Sequence, residues 1–356
     1  MGEQQILQDK TVVVTGGTGS LGRVLVRRLL SAKLGQPARV IVFSRDEAKQ
    51  HEMRLAWQHR RTATDEVIYH GLQQKLQFHV GDVRDPHALA VVLREAQVVF
   101  HCAALKQVPT CEYFPYEAVQ TNVGGAQNIV RVIRRERLPV ECVVGISTDK
   151  ACQPVNVMGM TKAIQERILI RANYDLPQTR FVCVRYGNVL ASRGSVIPLF
   201  QAQIRQGGPV TITTPEMTRF LLTLEQAADA VLTALQTARA GEVLVPQAPS
   251  ARIVDLAQAL IGGRPIATQV IGIRPGEKVH ETLISEEEGH RTGVRQGYYA
   301  IAPLLPELRG PQSDEPLLGR AYTSADSLLS LAELEGLLSR QGLLVDAETP
   351  LAEAWA

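Results

Sequence analysis

The sequence predicts an α/β protein in which a doubly wound parallel sheet carries a smaller α/β lobe. Three features of its 356 residues indicate this fold class. Short β-branched apolar runs alternate with helical segments, as in successive βαβ units. A glycine-rich turn at residues 16–22 joins the first run to the first helix. Beyond Tyr186, repeated Gly and Pro residues break the alternation, and loops with short strands take over.

Six strands are predicted before this change of pattern. They cover residues 11–15, 39–43, 77–80, 98–101, 140–147 and 180–185. Helices are predicted after the first strand and over 46–61, 86–96, 117–137, 157–174, 224–238 and 253–261. A further strand at 242–245 is expected to return to the main sheet. Because crossovers between parallel strands are right-handed, this order gives one twisted sheet with helices on both faces.

Composition excludes several classes of protein. With 45% hydrophobic and 21% charged residues, the chain is globular and can bury a substantial core. Its formal charge of +2 is spread along the chain, which indicates neither a nucleic acid nor an anionic membrane as partner. Five cysteines without a Cys-x-x-Cys pair argue against a disulfide framework or a zinc site, so we predict no metal. No apolar run approaches the ~18 residues of a membrane span, and no signal segment is recognisable, so we expect a cytoplasmic protein.

The glycine turn matches a dinucleotide-binding fingerprint. Gly17, Gly19 and Gly22 have the common spacing, and Gly16 with the last two has the short-chain dehydrogenase spacing. Bare backbone at these positions lets a pyrophosphate approach the helix N-terminus. We therefore predict a Rossmann-type fold, with a tight turn that binds no ligand as the alternative. The expected cofactor contacts here are Gly16, Thr18, Gly19, Ser20, Leu21 and Gly22.

The end of the second strand indicates which dinucleotide is bound. An acidic residue usually follows this strand and binds the ribose of NAD, but here Ser44 and Arg45 occupy the position. A guanidinium suits a 2′-phosphate, so NADP is favoured over NAD. Pairing of Arg45 with Asp46 is the alternative.

Two later strand ends supply further candidate contacts with the cofactor. Asp82 and Val83 follow the third strand at the expected adenine edge. Ala103 and Ala104 follow the fourth strand, where the cofactor passes closely, although simple packing would also explain these small residues.

The fifth strand ends in an adjacent acid and base, Asp149 and Lys150, preceded by Thr148. Ligands of a doubly wound sheet bind at the carboxyl ends of its strands, so this loop faces the cofactor. The pair is a candidate for acid–base catalysis, and a surface ion pair is the alternative.

Several segments together resemble the extended short-chain dehydrogenase/reductases of bacterial polysaccharide biosynthesis. The closest type is the UDP-N-acetylglucosamine 4,6-dehydratase group, especially its C5-inverting members. The segments that carry the resemblance are 15–22, 103–106, 147–151, 156–162 and 273–278. The resemblance spans roughly residues 10 to 335.

The resemblance implies catalytic roles by position. The active-site Thr-Asp-Lys of the family falls on Thr148, Asp149 and Lys150, and its Tyr-x-x-x-Lys pair falls on Met158 and Lys162. Lys162 would bind the nicotinamide ribose. Met158 departs from the family pattern, because a thioether cannot take a proton as a phenol does. The acid–base work then moves to the Thr-Asp-Lys group or to an ordered water.

The implied reaction is a dehydration without net redox change. Hydride leaves C4 of the sugar for NADP, and the 4-ketone makes the C5 proton acidic enough for a lysine with a depressed pKa to remove it. Asp149, if protonated, assists loss of the C6 hydroxyl as water, and the hydride returns to C6. Reprotonation from the opposite face would invert C5.

The resemblance also implies a UDP-sugar as substrate and a homo-oligomeric assembly. The implied substrate contacts are Lys106, Asn188, Ser195, Val196, Thr211, Arg219, Arg274 and Glu277. Lys106, Asn122 and Lys162 are further implied contacts with the cofactor. Residues 1–188, with 221–248 returning to them, form the expected NADP-binding Rossmann domain. Residues 189–220 and 249–340 form the expected nucleotide-sugar-binding lobe, and 341–356 a C-terminal tail.

Two other functions remain open at this point. A UDP-hexose or UDP-HexNAc epimerase would oxidise and reduce the sugar without losing water, so it would not need the Asp149–Lys150 pair. A non-catalytic NADP-binding regulator is supported only by the missing tyrosine.

Overall fold

The computed structural model describes residues 5–57, 75–190, 195–295, 297–309 and 316–345. Its strands are β1 (Thr11–Thr15), β2 (Arg39–Ser44), β3 (Leu76–Val80), β4 (Val98–His101), β5 (Cys142–Thr148), β6 (Arg180–Tyr186), β7 (Val210–Ile212), β8 (Thr218–Phe220), β9 (Val243–Pro246), β10 (Ser250–Arg252), β11 (Thr268–Val270), β12 (Thr282–Ile284), β13 (Thr292–Arg295), β14 (Tyr298–Ile301) and β15 (Tyr322–Thr323).

The α-helices in these ranges are α1 (Ser20–Leu30), α2 (Glu47–Trp57), α3 (Pro86–Leu93), α4 (Val108–Tyr113), α5 (Pro115–Ala118), α6 (Gly125–Glu136), α7 (Val157–Asp175), α8 (Val196–Arg205), α9 (Leu224–Thr237), α10 (Ile253–Ile261), α11 (Glu286–Gly289) and α12 (Leu331–Arg340). None of the helices in the described part of the chain is both long and apolar enough to cross a membrane.

The main sheet confirms the predicted fold class. Its strand order is β13-β14-β9-β6-β5-β4-β1-β2-β3, and the six strands from β6 to β3 pair in parallel. This is the strand order of doubly wound dinucleotide-binding sheets, whose order reverses between β1 and β4. Strand β9 adds to β6 in parallel, and β14 and β13 follow antiparallel.

The central strands are apolar throughout because helices cover both faces of the sheet. All five residues of β1 are buried, and so are all four residues of β4. Strands of this kind lack the alternation of a half-buried strand, so short continuous apolar runs identified them correctly in the sequence.

Two predicted helices differ from those in the structure. The described part of the predicted helix 46–61 is α2, and residues 58–61 lie outside the described residues. The predicted helix 117–137 is α5, a π-helical turn at Val119–Gly124 and α6 in succession. The π turn places Asn122 against the loop after β4, a contact that helical periodicity alone does not reveal.

A second hydrophobic cluster lies outside the main sheet. It is formed by α8, α10 and α12 with the parallel pair β7–β11. The first residues of the predicted tail belong to it, since Gln201 donates a hydrogen bond to the Leu343 carbonyl at 2.7 Å and Val345 is buried. Residues 346–356 lie outside the described residues.

The hairpin β13–β14 differs from the expected division of the chain. It lies within the segment 249–340 assigned to the lobe, yet it extends the main sheet through β9. Its two strands have four residues each, and Val294 is the only strongly apolar residue of β13, so periodicity gave too weak a signal. A division into domains must therefore count residues 292–301 with the main sheet.

Candidate active site

The glycine turn between β1 and α1 is shaped by contacts within the protein. Gly16 has a φ of +65°, and a Cβ there would lie 2.7 Å from the backbone nitrogen of Ala103. A Cβ on Gly22 would lie 2.6 Å from the Gly16 carbonyl oxygen, and one on Gly17 would lie 2.9 Å from the Val42 side chain. These three glycines are therefore required by close packing.

Gly19 differs because it faces outward. It is exposed, and the nearest protein atom to a Cβ there would be the Gly16 carbonyl oxygen at 3.2 Å. It is the N-cap residue of α1, so no side chain caps this helix end, and the first turn of α1 contains no acidic residue. The free N–H groups of this helix end can therefore receive an anion, which fits a dinucleotide. Of the neighbouring predicted contacts, Thr18 is buried, Ser20 is exposed and Leu21 is partly buried.

Of the two predicted contacts at the end of β2, one is hydrogen-bonded within the protein and the other is accessible. Ser44 is buried, and its Oγ accepts a hydrogen bond from Gln50 Nε2 at 3.0 Å. Arg45 keeps 51% of its side chain exposed, with Nη1 3.5 Å from Asp82 Oδ2. The guanidinium can therefore still receive an anionic group at the edge of the site.

Asp82 and Val83 have different environments after β3. Asp82 accepts hydrogen bonds from the backbone nitrogen and Nε of Arg84, at 2.9 and 2.8 Å. Burial opposes ionisation of Asp82, but Arg84 outweighs it and the pKa lies below its ordinary value. Val83 is buried in the core, where a Cβ on Gly125 would lie 2.9 Å from it, so only its backbone can contact a ligand.

Asn122 holds the loop after β4 through hydrogen bonds. This loop contains the partly buried Ala103 and Ala104. Asn122 Oδ1 accepts a hydrogen bond from the Leu105 nitrogen at 2.8 Å. Its Nδ2 donates to the Leu105 carbonyl at 3.0 Å and to Thr161 Oγ1 at 2.9 Å. Both ends of the amide are thus engaged by the protein, which positions this loop, and the contact of Asn122 with the cofactor stays a prediction.

Lys162 is buried on α7 beside the sheet. Its Nζ donates a hydrogen bond to Gln165 Oε1 at 2.7 Å, and Gln165 in turn donates to the Ile146 carbonyl at 3.0 Å. Burial lowers the pKa of Lys162 to about 8. His101 at the end of β4 is also buried, and burial together with Lys162 lowers its pKa to about 3. Lys106, the other lysine of the predicted cofactor site, is exposed.

The predicted acid and base form a buried ion-pair cluster rather than a surface pair. Asp149 Oδ1 accepts hydrogen bonds from Thr148 Oγ1 at 2.8 Å and from Lys150 Nζ at 3.1 Å. On its other side, Lys150 Nζ lies 3.1 Å from Glu281 Oε1, and Arg219 Nε lies 3.8 Å from the same oxygen. The side chains of Asp149 and Glu281 are 1% and 3% exposed, so the two carboxylates are shielded from water, whereas the Lys150 side chain is 21% exposed.

The protonation state expected for Lys150 was wrong. Burial alone would lower its pKa, but the charges of Asp149 and Glu281 outweigh burial and raise the pKa above its ordinary value. In the absence of substrate the side chain is therefore an ammonium, and its acid–base chemistry has to begin from that state.

Met158 lies in an apolar pocket. It is 5% exposed and packs against Cys111 and Ala118, with Leu105 and Val108 around them. The thioether therefore takes part in packing and supplies no proton at this position.

Helix α7, which carries Met158, packs closely against the loop that carries Asp149 and Lys150. A Cβ on Gly159 would lie 2.1 Å from the Lys150 carbonyl oxygen, so glycine is required there. Asn156 caps this helix through a hydrogen bond from the Gly159 nitrogen at 2.8 Å. Its Nδ2 donates to the Gly276 carbonyl at 3.0 Å, which ties the helix to the later motif 273–278.

A buried ion-pair network supports the same loop. Arg185 is 2% exposed and donates hydrogen bonds to both carboxylate oxygens of Glu166, at 3.0 and 2.7 Å, and to both of Glu288, at 2.8 and 3.1 Å. Ser147 donates to Glu166, and Cys152 Sγ lies 3.6 Å from Glu288 Oε2. The network therefore holds both ends of the loop that carries Asp149 and Lys150.

Three predicted substrate contacts have a buried side-chain oxygen without a hydrogen-bond partner among the described residues. They are Asn188 Oδ1, Ser195 Oγ and Glu277 Oε2. Thr214 Oγ1 is also buried without a partner in the described part of the chain. Buried polar atoms are normally paired, so a polar ligand would satisfy oxygens of this kind.

The remaining predicted substrate contacts are engaged or exposed. Thr211 Oγ1 accepts a hydrogen bond from Gln203 at 2.8 Å, and Arg219 donates to the Thr218 and Val279 carbonyls at 2.7 and 3.1 Å. Val196 is partly buried, and Arg274 is exposed.

A narrow cleft without interior room for a water molecule adjoins the acid–base cluster. Its lining residues are Lys150, Val155, Asn156, Gly276, Lys278 and Glu281. Lys278 also donates a hydrogen bond to the Cys152 carbonyl at 2.7 Å. The structure thus brings the loop after β5, the cap of α7 and the later motif together around one cleft.

Sequence reasoning missed Glu281 and the network of Arg185. Glu281 lies four residues beyond Glu277, so a second acid directly after the motif was a visible signal. Arg185 was assigned to the end of a strand, and its sequence gives no indication of the two carboxylates that neutralise it.

Known proteins similar to this chain share its length and fold. The model of a family described as polysaccharide biosynthesis protein matches residues 12–303. A relative named UDP-glucose 4-epimerase, from Rickettsia typhi, is 44% identical over 298 residues, which cover 82% of this chain and 83% of that protein. The structure of Pen from Bacillus thuringiensis matches with a TM-score of 0.84 at 32% identity, covering 95% of this chain and 100% of that one.

A more distant structure agrees in fold alone. DesIV, a dTDP-glucose 4,6-dehydratase from Streptomyces venezuelae solved with NAD and TYD bound, has a TM-score of 0.62 at 22% identity. The match covers 76% of this chain and 86% of that one. Since the family model spans the glycine turn, the acid–base cluster and the cleft, this chain belongs to the polysaccharide biosynthesis protein family and has the fold of the extended short-chain dehydrogenase/reductases.

Proposed function

We propose that this protein is an NADP-dependent UDP-N-acetylglucosamine 4,6-dehydratase that inverts C5 and yields a UDP-4-keto-6-deoxy sugar. The observation that carries the proposal is the position of Lys150. Its Nζ lies between two buried carboxylates, at the carboxyl end of β5 and beside a cleft. Dehydration needs an acid and a base next to the sugar, whereas epimerisation at C4 does not need this pair.

The residues that would hold the cofactor are those of the glycine turn, Arg45 and Lys162. The outward face of Gly19 and the free end of α1 suit the pyrophosphate. Arg45, in place of an acid after β2, suits the 2′-phosphate of NADP. The chemistry that NADP supplies when bound is the transfer of a hydride from C4 of the sugar and back to C6.

Proton transfer within the Asp149–Lys150 pair prepares both groups for dehydration. Lys150 starts as an ammonium and passes one proton across 3.1 Å to Asp149, which leaves a neutral amine and a carboxylic acid. The amine takes the C5 proton, while Asp149 gives its proton to the C6 hydroxyl, which leaves as water. The elimination returns both side chains to their initial charges. A water molecule takes the proton of the C4 hydroxyl as the hydride leaves, and a water on the face opposite Lys150 gives C5 its proton when the hydride returns to C6, so the protons balance and C5 is inverted. Met158, buried in its apolar pocket, takes no part in these transfers.

A UDP-sugar 4-epimerase is the second candidate. It is favoured by the name of the Rickettsia relatives, which are 42% to 44% identical to this chain. In this alternative the C4 hydride is returned to the opposite face of the same carbon and the 6-hydroxyl is kept.

One experiment separates the two reactions. The full-length protein is incubated with NADP and UDP-N-acetylglucosamine in deuterated water, and the product is followed by NMR. We expect a 4-keto-6-deoxy sugar with deuterium at C5. A C4 stereoisomer that keeps its 6-hydroxyl would support the epimerase, and no turnover of any UDP-sugar despite NADP binding would overturn both. The homo-oligomer and the cytoplasmic location expected from the sequence remain predictions.

A further inference from the structure

We propose that Glu281 is a positioning residue for Lys150, whose carboxylate holds the lysine Nζ against Asp149 at the edge of the cleft. The proposal deepens the proposed function and rests on it for the activity measurements alone. Glu281 lies outside the sequence motif 273–278.

The first argument is geometric. Lys150 Nζ lies 3.1 Å from an oxygen of Asp149 and 3.1 Å from an oxygen of Glu281. A single carboxylate would leave the flexible lysine side chain several orientations, but two carboxylates from different segments fix the ammonium in one place. Because Asp149 is adjacent to Lys150 in the chain, Glu281 supplies the constraint from the opposite wall.

The second argument is that the backbone of Glu281 is itself held firmly. Its nitrogen donates a hydrogen bond to Ser324 Oγ at 2.9 Å, and its carbonyl accepts one from the Ser324 nitrogen at 2.8 Å. Ser324 Oγ lies 2.6 Å from Thr218 Oγ1, in the strand that also carries Arg219. Glu281 is therefore a rigid support and can define where Nζ lies.

The third argument distinguishes this pair from a purely structural ion pair. The second oxygen of Glu281 is buried without a hydrogen-bond partner among the described residues, and so is the second oxygen of Asp149. A structural pair with two unsatisfied buried oxygens would be costly to fold. Glu281 lines the cleft, where a sugar hydroxyl would supply the missing donor to its second oxygen, and Asp149 adjoins the cleft through its ion pair with Lys150.

The charges around Lys150 agree with this role. Burial lowers the pKa of Lys150, Asp149 and Glu281 raise it, and Arg219 lowers it, with a raised pKa as the result. Lys278, in the wall of the same cleft, adds a second positive charge. If the Glu281 charge is removed, we expect the pKa of Lys150 to fall, since an opposite charge at this distance favours the ammonium.

The test measures the titration of Lys150 without any substrate. Trace acetylation of the full-length protein with acetic anhydride is followed by mass spectrometry as a function of pH, with the exposed Lys33 as internal reference. In Glu281→Gln we expect Lys150 to react faster by about tenfold at a fixed pH below its pKa, because loss of the opposite charge raises the fraction of neutral amine. Glu286→Gln, a change at an exposed glutamate nearby, is the matched control and should leave the titration unchanged. Equal Lys150 titration in the two variants would overturn the proposal.

The activity measurement addresses the reaction itself. In Glu281→Gln we expect kcat for C5 exchange of UDP-N-acetylglucosamine in deuterated water to fall about tenfold with KM little changed, since a misplaced base affects the chemical step. Glu281→Asp keeps the charge and should recover part of the rate. If circular dichroism shows that Glu281→Gln does not fold, Glu281→Asp replaces it in the acetylation experiment. The expected change in the acetylation rate of Lys150 is then smaller. If wild-type protein shows no exchange, the proposed function fails, while acetylation still decides the role of Glu281.

Discussion

The glycine turn and the acid–base cluster lie at the same edge of the sheet but are built in different ways. The residues of the turn are contiguous in the chain: Gly16, Gly17 and Gly22 lie in one short segment, although Gly16 packs against Ala103 after β4 and Gly17 against Val42 of β2. The cluster is assembled from distant segments, since Lys150 after β5 meets Glu281 before β12. Spacing in a sequence can therefore reveal the turn completely but only the adjacent half of the cluster.

The largest effect is expected when the cluster loses its base. Lys150→Ala should reduce C5 exchange of UDP-N-acetylglucosamine by roughly 10²- to 10⁴-fold, the usual contribution of a positioned acid–base group. NADP binding, followed by fluorescence titration, should be unchanged because the glycine turn is separate from the cluster. Lys33→Ala, at an exposed lysine, serves as the control. Exchange at the wild-type rate in Lys150→Ala would remove this residue from the mechanism.

The next effect concerns the turn and separates packing from ligand binding. Gly22→Ala places a Cβ 2.6 Å from backbone atoms of Gly16 and Gly17, so we expect a loss of roughly 3 kcal/mol in the free energy of unfolding. Gly19→Ala places its Cβ 3.2 Å from the Gly16 carbonyl oxygen, a close contact but a much milder one than at Gly22, so we expect a smaller loss of stability. It should weaken NADP binding because the added carbon faces the pyrophosphate.

Urea unfolding and NADP titration measure these two properties in both variants. Gly263→Ala, where no atom lies within 4 Å of an added Cβ, is the control for a harmless glycine substitution. Loss of stability in Gly19→Ala equal to that in Gly22→Ala would show that the two positions do not differ in the way the contacts indicate.

The same contrast explains what the sequence could predict. The parallel sheet follows from continuous apolar runs such as β1, whose burial on both faces leaves a pattern in the chain itself. Asp149 and Lys150 were found because they are adjacent after a strand. Glu281 and Arg185 were missed because their partners lie far along the chain.

A third effect tests the buried network that supports the cluster. Burial raises the pKa of Glu288, but Arg185 outweighs it, and the pKa in the folded protein is about 2, below the ordinary value of 4.5. A carboxyl with a depressed folded pKa contributes stability above its unfolded pKa, and this contribution is lost as pH falls through the folded pKa. We expect up to about 3 kcal/mol from this group at neutral pH, lost between pH 4.5 and about 2.

Unfolding free energies measured from pH 6 downward would check this dependence. Glu288→Gln should be less stable at neutral pH and should show a flatter decline in acid. Glu287→Gln, at an exposed neighbour on α11, should keep the wild-type decline. If the two variants decline alike, protonation of Glu288 does not control acid stability.

The smallest effect is expected at Arg45, which directly follows one strand but pairs with a residue after another strand. Arg45 follows β2 in sequence, but its partner Asp82 follows β3, and half of its side chain is exposed. Arg45→Ser should leave stability within about 0.5 kcal/mol, because exposed ion pairs contribute little. It should weaken NADP binding by about 1.5 kcal/mol, the lower end of the range for a hydrogen bond to a charged group, while NAD binding changes little. Arg131→Ser, on the exposed face of α6, is the control, and titrations with both dinucleotides measure the difference. An equal loss for NAD and NADP would mean that Arg45 supports the adenosine without reading the 2′-phosphate, and the preference would then have to come from elsewhere in the fold.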